Sequence, residues 1–289
     1  MPYPLPLPTA AVQFVRHSTP RHFLDIAEGF LLEAEAENNL ILGLAREFAE
    51  REPPADPPPF FASVQDDGRV VGCLFRTPPL KVGLTRMPGV AIPLVVRAVA
   101  DAYPDLPGVL GPLDTIQDFA TVWASVRSAT VTPGMKMGLY AAESVRSPEP
   151  PVPGGMREAG AADGLLLRDW LHRFTDEARI GPPDVDEEVE ALVAGGGAFL
   201  WEDDGVVSMA AAKGATPNGI RIGYVYTPPM HRQRGYASAL VSQLTRHLLD
   251  QGRAFCVLYT DLDNPTSNEL YQRIGYERVA TSGDIHFSA

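Results

Sequence analysis

The 289-residue chain has few features that would place it outside the cell or in a membrane. It contains two cysteines, Cys73 and Cys256, which lie far apart in strand-like segments and predict no disulfide framework. No apolar run is long enough to span a bilayer. Residues 1–8 have neither the positive start nor the unbroken apolar stretch of a signal peptide. We therefore expect a cytoplasmic protein.

Several enzyme classes lack their signatures in this sequence. The six histidines are scattered, no His-Glu-x-x-His occurs and no Cys/His set has ligand spacing, so no metal site is predicted. The Walker lysine motif and the Gly-x-Ser-x-Gly elbow of hydrolases are also absent. The net charge of −12 disfavours nucleic acid and an anionic membrane surface as partners.

A strand, a glycine turn and a helix follow one another in the second half. Residues 220–226 are β-branched and aromatic, as in a strand, and Pro228 and Pro229 end it. Residues 237–250 carry apolar side chains at helical spacing. Gly235 therefore lies directly before a helix whose first N–H groups have no internal partner and attract anions.

Arg232, Gly235 and Ala237 match the Arg/Gln-x-x-Gly-x-Gly/Ala pattern of GNAT acetyltransferases, and the segment resembles the loop that binds pyrophosphate in that superfamily. The resemblance implies acetyl-CoA as cosubstrate, with the pantetheine arm along the strand before the loop. It implies that the loop contributes Arg232 and the main-chain N–H groups of Gln233, Arg234, Gly235, Tyr236 and Ala237. The strand would contribute the backbone of Val225, Tyr226 and Thr227.

A second segment in the same half strengthens this resemblance. Residues 254–260 form an apolar run typical of a buried parallel strand, and Asn264 followed by Pro265 predicts the start of a helix. Asn264, Asn268 and Tyr271 share one face of that helix. The pattern is similar to the GNAT segment that contacts the cofactor, so the resemblance implies cofactor contacts for the two asparagines. It also implies that Tyr271 protonates the departing thiolate.

The chain divides into two similar halves. Residues 147–155 read as a Pro/Gly linker between a first domain, 1–146, and a GNAT domain, 156–289. Both halves contain a predicted hairpin turned by Asp-Asp-Gly. The fold class is α/β (α+β), with two GNAT-like domains that are each a mixed twisted sheet flanked by helices. Residues 86–91 repeat the Arg-x-x-Gly-x-Ala pattern, but Pro88 removes an N–H there, so we expect the first half to be degenerate; an unrelated α/β domain is the alternative.

The sequence also predicts the order of elements in the second half. The predicted helices are 162–177, 184–193, 237–250 and 265–274, and the predicted strands are 156–159, 198–202, 206–213, 220–226 and 254–260, with a final strand pair at 276–280 and 284–287. In the first half, a third strand is expected at 80–85 and an amphipathic helix at 114–125.

The resemblance implies an N-acetyltransferase that moves an acetyl group from acetyl-CoA to a primary amine of a small molecule or peptide, in the second half. The protein would be a monomer or a homodimer. The general base stays open among Tyr224, Glu202, Asp203, His286, the carboxy-terminus and a water chain. An acyl-CoA-binding sensor without turnover is one alternative function, and a protein that binds another nucleotide at the Gly235 loop is a second.

Overall fold

The computed structural model describes residues 12–51, 57–178 and 184–288. Residues 1–8, where the sequence predicts no signal peptide, lie outside these described ranges. The chain forms two compact units: unit 1 is Met1–Met137 with Ala280–Ala289, and unit 2 is Gly138–Val279. No described helix is both long and apolar enough to cross a membrane.

Unit 1 is a mixed sheet with helices on both faces. Its strands lie in the order β1-β2-β3-β4-β5-β12-β6, and the one parallel pair that its described ladders show is β4 with β5. The elements are β1 (Gln13–His17), α1 (Pro20–Leu32), α2 (Asn39–Glu50), β2 (Phe60–Asp66), β3 (Arg69–Arg76), β4 (Val82–Leu84), α3 (Ile92–Ala102), β5 (Gly108–Pro112), α4 (Leu113–Arg127) and β6 (Thr130–Ala142).

Unit 2 repeats this architecture. Its strands lie in the order β6-β11-β10-β9-β8-β7, and β10 pairs with β11 in parallel. The elements are β7 (Gly155–Glu158), α5 (Gly164–Ala178), α6 (Val185–Ala194), β8 (Ala198–Glu202), β9 (Val206–Lys213), β10 (Gly219–Tyr226), α7 (Tyr236–Asp250), β11 (Phe255–Asp261), α8 (Pro265–Arg273) and β12 (Glu277–Ser288), of which the last also enters unit 1.

Alternating side chains of the strands build a core on each face of both sheets, as the two-residue period of a strand requires. In unit 2, Phe199 and Trp201 of β8 pack with α7, whereas Leu200 packs with α5 and α6. In unit 1, Phe60 of β2 packs with α3 and α4, whereas Phe61 packs with α1 and α2.

The two predicted hairpins form with equivalent turns. Asp67 (φ 49°) and Asp204 (φ 53°) both take left-handed backbone conformations, and the glycine that follows each of them also has a positive φ. Aspartate and glycine tolerate this region better than other residues, which explains the shared Asp-Gly. The repeat that the sequence suggested therefore extends to the backbone conformation of the turn.

One predicted element is wrong. The strand pair expected at 276–280 and 284–287 is the single strand β12, because residues 282–284 pair with residues 110–112 of β5 and satisfy their backbone groups there instead of turning. Ile285 of β12 joins the core of unit 1. The compact units consequently differ from the predicted domains, 1–146 and 156–289, at both boundaries.

The strand expected at 80–85 in the first half is shorter than predicted, since β4 covers Val82–Leu84.

We expect Leu240→Ala to lower the free energy of unfolding by about 3 kcal/mol, because Leu240 of α7 is fully buried and its removal leaves a cavity. The matched control is Leu165→Ala, since Leu165 is 80% exposed and should change the free energy by less than about 0.5 kcal/mol. Urea unfolding followed by circular dichroism measures both. Equal effects of the two changes would contradict the packing of α7.

Candidate active site

Gly235 sets the geometry of the loop between β10 and α7. It is the N-cap of α7 with φ 83°, a left-handed conformation that favours glycine. Because glycine has no side chain, the cap residue leaves the N–H groups of the first helical turn without a side-chain acceptor. A Cβ at this position would lie 2.9 Å from Val152. The start of α7 therefore presents N–H donors and the positive end of the helix dipole, as an anion site needs.

Next to this loop, β10 and β11 separate. Their parallel ladder runs from Gly219 opposite Phe255 to Arg221 opposite Val257, whereas the two strands continue to Tyr226 and Asp261. The carboxyl ends of both strands therefore have backbone N–H and C=O groups that do not pair with each other. Such an opening suits an extended ligand that takes the place of a neighbouring strand.

A bulge in β10 turns Tyr224 to the other face of the sheet. The register with β9 shifts between Gly223 and Tyr226, and Tyr224 has φ 50°, an uncommon value for a bulky residue. Ile222 packs in the α7 cluster, and Tyr224 would share its face in a regular strand. Tyr224 instead packs with α5 and α6, with its ring centroid 5.6 Å from that of Phe174.

Tyr224 is a poor candidate for the general base in this position. Burial raises the pKa of its hydroxyl, so the phenol stays protonated at neutral pH. Lys213 on β9 lies with its Nζ 5.2 Å from the ring centroid and also pairs with Glu188 of α6. The Tyr224 ring and the Lys213–Glu188 ion pair therefore lie side by side next to the bulge.

The two arginines of the loop have different surroundings. Arg232 donates to both carboxylate oxygens of Glu177 on α5 at 2.7 and 2.9 Å, and its Nε donates to the Thr227 carbonyl at 2.9 Å. Arg234 is exposed and forms no ion pair with any carboxylate in the part of the chain that the structure describes. Arg232 therefore fixes the loop, whereas Arg234 contacts only the Tyr236 hydroxyl among the interactions described for it and has no carboxylate partner there.

Two of the candidate bases, Asp203 and Glu202, already accept hydrogen bonds from side chains of unit 2. Asp203 accepts a hydrogen bond from the Tyr236 hydroxyl at 2.5 Å, which raises the pKa of Tyr236. Glu202 accepts from the Arg157 Nε at 2.7 Å. The anchoring of Tyr236 by Asp203 had no signal in the sequence, because it joins residues 33 positions apart.

His286, a third candidate base, lies in unit 1. Its Nε2 is 3.1 Å from a carboxylate oxygen of Asp284 and 3.2 Å from the Lys81 Nζ. Asp284 also pairs with Lys81 and accepts the Met135 N–H at 2.7 Å.

The two asparagines of α8 make bonds inside the protein. Asn264 is the N-cap, as predicted, and its side chain accepts the Ser267 N–H at 3.2 Å. Asn268 donates to the carbonyls of Asp261 and Asn264 at 2.9 and 2.8 Å, and its side-chain oxygen accepts from the Tyr140 hydroxyl at 3.1 Å. These bonds attach α8 to the end of β11. A contact of either asparagine with the cofactor stays a prediction.

Tyr271 is buried in the α7-facing core, with its ring centroid 6.1 Å from that of Tyr276. Among residues 12–51, 57–178 and 184–288, nothing forms a hydrogen bond with its hydroxyl. Burial raises the pKa of this hydroxyl to about 12. Tyr271 is therefore protonated at neutral pH and has a proton to donate.

Comparison with known proteins supports one fold. The family model described as FR47-like protein matches residues 202–283, which include β10, the Gly235 loop and α8. A GCN5-related N-acetyltransferase from Sphaerobacter thermophilus aligns over 95% of both chains with a TM-score of 0.64 and 14% identity. A tandem GNAT protein from the clavulanic acid biosynthesis pathway covers 96% of this chain and 98% of its own, with a TM-score of 0.58 and 14% identity. The chain has a tandem GNAT fold.

A Drosophila protein has the same fold, with a TM-score of 0.66 at 14% identity over 96% of this chain and 98% of its own. No curated protein sequence matches the chain. At these identities the solved structures show the GNAT fold and leave the acceptor unassigned.

The first GNAT-like unit lacks the opening that unit 2 has. Its equivalent strands, β4 and β5, pair at Val82 with Val109 and at Gly83 with Leu110. Beyond this ladder, a Cβ on Gly111 would lie 2.5 Å from the Leu84 carbonyl oxygen, so the two backbones stay in contact. The close approach leaves no space for a ligand between these strands.

The loop of unit 1 differs from the Gly235 loop in its arginine partners and in its backbone donors. Arg86, which matches Arg232 in the pattern, donates to Glu37 and to Asp114 at 2.9 Å each. Pro88 supplies no N–H, and a 3-10 helix, Gly89–Ala91, precedes α3. A degenerate first half stays a prediction.

We expect Tyr271→Phe to change the free energy of unfolding by less than about 0.5 kcal/mol, because the hydroxyl that it removes has no partner in the described chain. The matched control is Tyr276→Phe, which loses the 2.7 Å bond with Thr245 and should cost about 1 kcal/mol. Urea unfolding measures both. A larger loss for Tyr271→Phe would show that its hydroxyl is already bonded in the free protein.

Proposed function

We propose that the protein is an acetyl-CoA-dependent N-acetyltransferase that acts in unit 2 on a primary amine of a small molecule or peptide. The observation that carries this proposal is the separation of β10 from β11 directly before the uncapped start of α7. The opening suits an extended pantetheine arm, and the helix start suits the pyrophosphate attached to it.

The cofactor would lie along β10 and end at the loop. The Tyr226 carbonyl already accepts from Ser208 at 3.1 Å, and the Thr227 carbonyl accepts from Arg232. Each of these two carbonyl oxygens keeps one lone pair for a ligand. Neither bond involves the backbone of Val225, which comes one residue before Tyr226 in β10. We therefore assign the main pantetheine contact to the backbone of Val225, and the phosphate contacts to residues 233–237.

The chemistry requires that the thiolate gains a proton when the amide forms. Tyr271 would donate it, because its hydroxyl is neutral and has no partner in the described residues. The amine must reach the thioester without its proton, and neither Glu202 nor Asp203 is assigned to remove it, since both accept bonds from protein donors. Fixing the cofactor carbonyl beside the amine would supply much of the acceleration.

Calorimetric titration with acetyl-CoA tests the placement of the cofactor. We expect one binding site per chain, and we expect Arg234→Glu to weaken binding at least tenfold, because it replaces an unpaired positive charge beside the pyrophosphate. Arg273→Glu is the control, since Arg273 is also exposed but lies on α8 and pairs with Glu269. Two sites would contradict the assignment to unit 2 alone, and absence of binding would contradict the function.

Steady-state kinetics with an amine acceptor tests the role of Tyr271. We expect Tyr271→Phe to lower kcat about 100-fold, because general acids contribute at least this factor, while the affinity for acetyl-CoA changes less than about twofold. Tyr276→Phe serves as the control, as it removes a neighbouring hydroxyl that is bonded to Thr245. Unchanged kcat in Tyr271→Phe over the whole pH range would refute the general-acid role.

A further inference from the structure

A polar pocket in unit 2 lies away from the Gly235 loop. It has a volume of about 340 Å³ and is lined by Arg146, Gln272, Gly275, Tyr276, Glu277 and Arg278. These residues belong to the segment after β6, the end of α8 and the start of β12.

The backbone of Arg146 is held from two sides. Its N–H donates to the Ile274 carbonyl at 2.8 Å, and its carbonyl accepts from the Ser242 hydroxyl of α7 at 2.8 Å. Gly275 has φ 110°, and a Cβ there would lie 3.2 Å from the Ser144 carbonyl oxygen. Glycine thus lets this segment approach the end of α8, and the pocket exists before any ligand binds.

The two arginine side chains of this pocket are not held by ion pairs within the described residues. Neither Arg146 nor Arg278 forms an ion pair with any residue that the structure describes, whereas five other arginines of unit 2 do so. Nearby, Arg246 contacts the Val145 carbonyl and the Ser147 hydroxyl at 3.4 and 3.2 Å. In a chain of net charge −12, unpaired guanidinium groups in one pocket indicate an external anion.

We propose that the Arg146–Arg278 pocket binds a small oxyanion, a phosphate or a carboxylate group. The guanidinium fork matches the spacing of two oxygens in either group. Gln272 donates from its Nε2 to the Tyr140 hydroxyl at 3.3 Å and has a second N–H on the same nitrogen for the anion. Glu277 lines the same pocket and opposes an anion, so it limits the affinity. Ser242 and Arg246 lie two to three turns along α7 from Gly235, so this site is separate from the start of the helix.

The test is calorimetric titration with inorganic phosphate and, separately, with succinate, in chloride buffer. It uses the full chain carrying Arg234→Glu, which should weaken phosphate binding at the Gly235 loop and so separate the two sites. We expect saturable one-site binding of at least one anion. The preferred anion distinguishes a phosphate ligand from a carboxylate ligand.

Variants of the lining residues locate the bound anion. Arg146→Gln and Arg278→Gln should each weaken binding about tenfold, and Glu277→Gln should strengthen it, because a like charge is removed. The control is Arg273→Gln on α8, which should bind as before. Thermal unfolding verifies that each variant is folded, and Arg146→Lys, which retains the charge, should recover part of the affinity.

Two results would overturn the proposal. One is the absence of saturation by either anion at millimolar concentration, and the other is binding that Arg146→Gln and Arg278→Gln leave unchanged. The measurement needs no acetyl-CoA and no acceptor. Its outcome is therefore independent of whether unit 2 is an acetyltransferase.

Discussion

The separation of two parallel strands is the constraint on which the site in unit 2 depends. Buried backbone N–H and C=O groups nearly always have partners, so strands that part inside a sheet must find other ones. β10 and β11 pair through Arg221 and Val257 and then diverge. The bulge at Tyr224 accompanies this divergence on one side, and α7 starts at its open end. A bound chain with its own amide groups would complete the pairing.

The two units differ at the parallel strand pair that opens in unit 2 and in their loop arginines. Both contain the Asp-Gly hairpin and a following parallel strand pair, yet the strands of unit 1 stay together at Leu84 and Gly111. The arginines also differ: Arg86 is held by two carboxylates, whereas unit 2 has a second loop arginine, Arg234, that forms no ion pair in the described chain. The same architecture therefore has an opening between two parallel strands in unit 2 and a closed strand pair in unit 1.

Local patterns predicted most of the elements but not the contacts between distant residues. The alternation in β8 and β9 and the N-cap at Asn264 are visible in short windows, and the structure has them at those positions. The pairing of β12 with β5 joins residues about 170 positions apart, and no local signal encodes it. The positive φ of Tyr224 also escaped prediction, because tertiary packing overrides the preference of tyrosine for a regular strand.

The loop arginines of the candidate site also show that a sequence pattern does not predict contacts between distant residues. A pattern specifies residue types, so it could not distinguish Arg232, which Glu177 neutralises, from Arg234, which has no carboxylate partner in the described chain. The same holds on α8, where Asn264 and Asn268 use their amides to hold the helix to β11. Tyr271 shares that helix face, and its hydroxyl has no partner in the described chain. A neutral hydroxyl without a protein partner is free to bond to a substrate atom, as the proposed proton transfer requires.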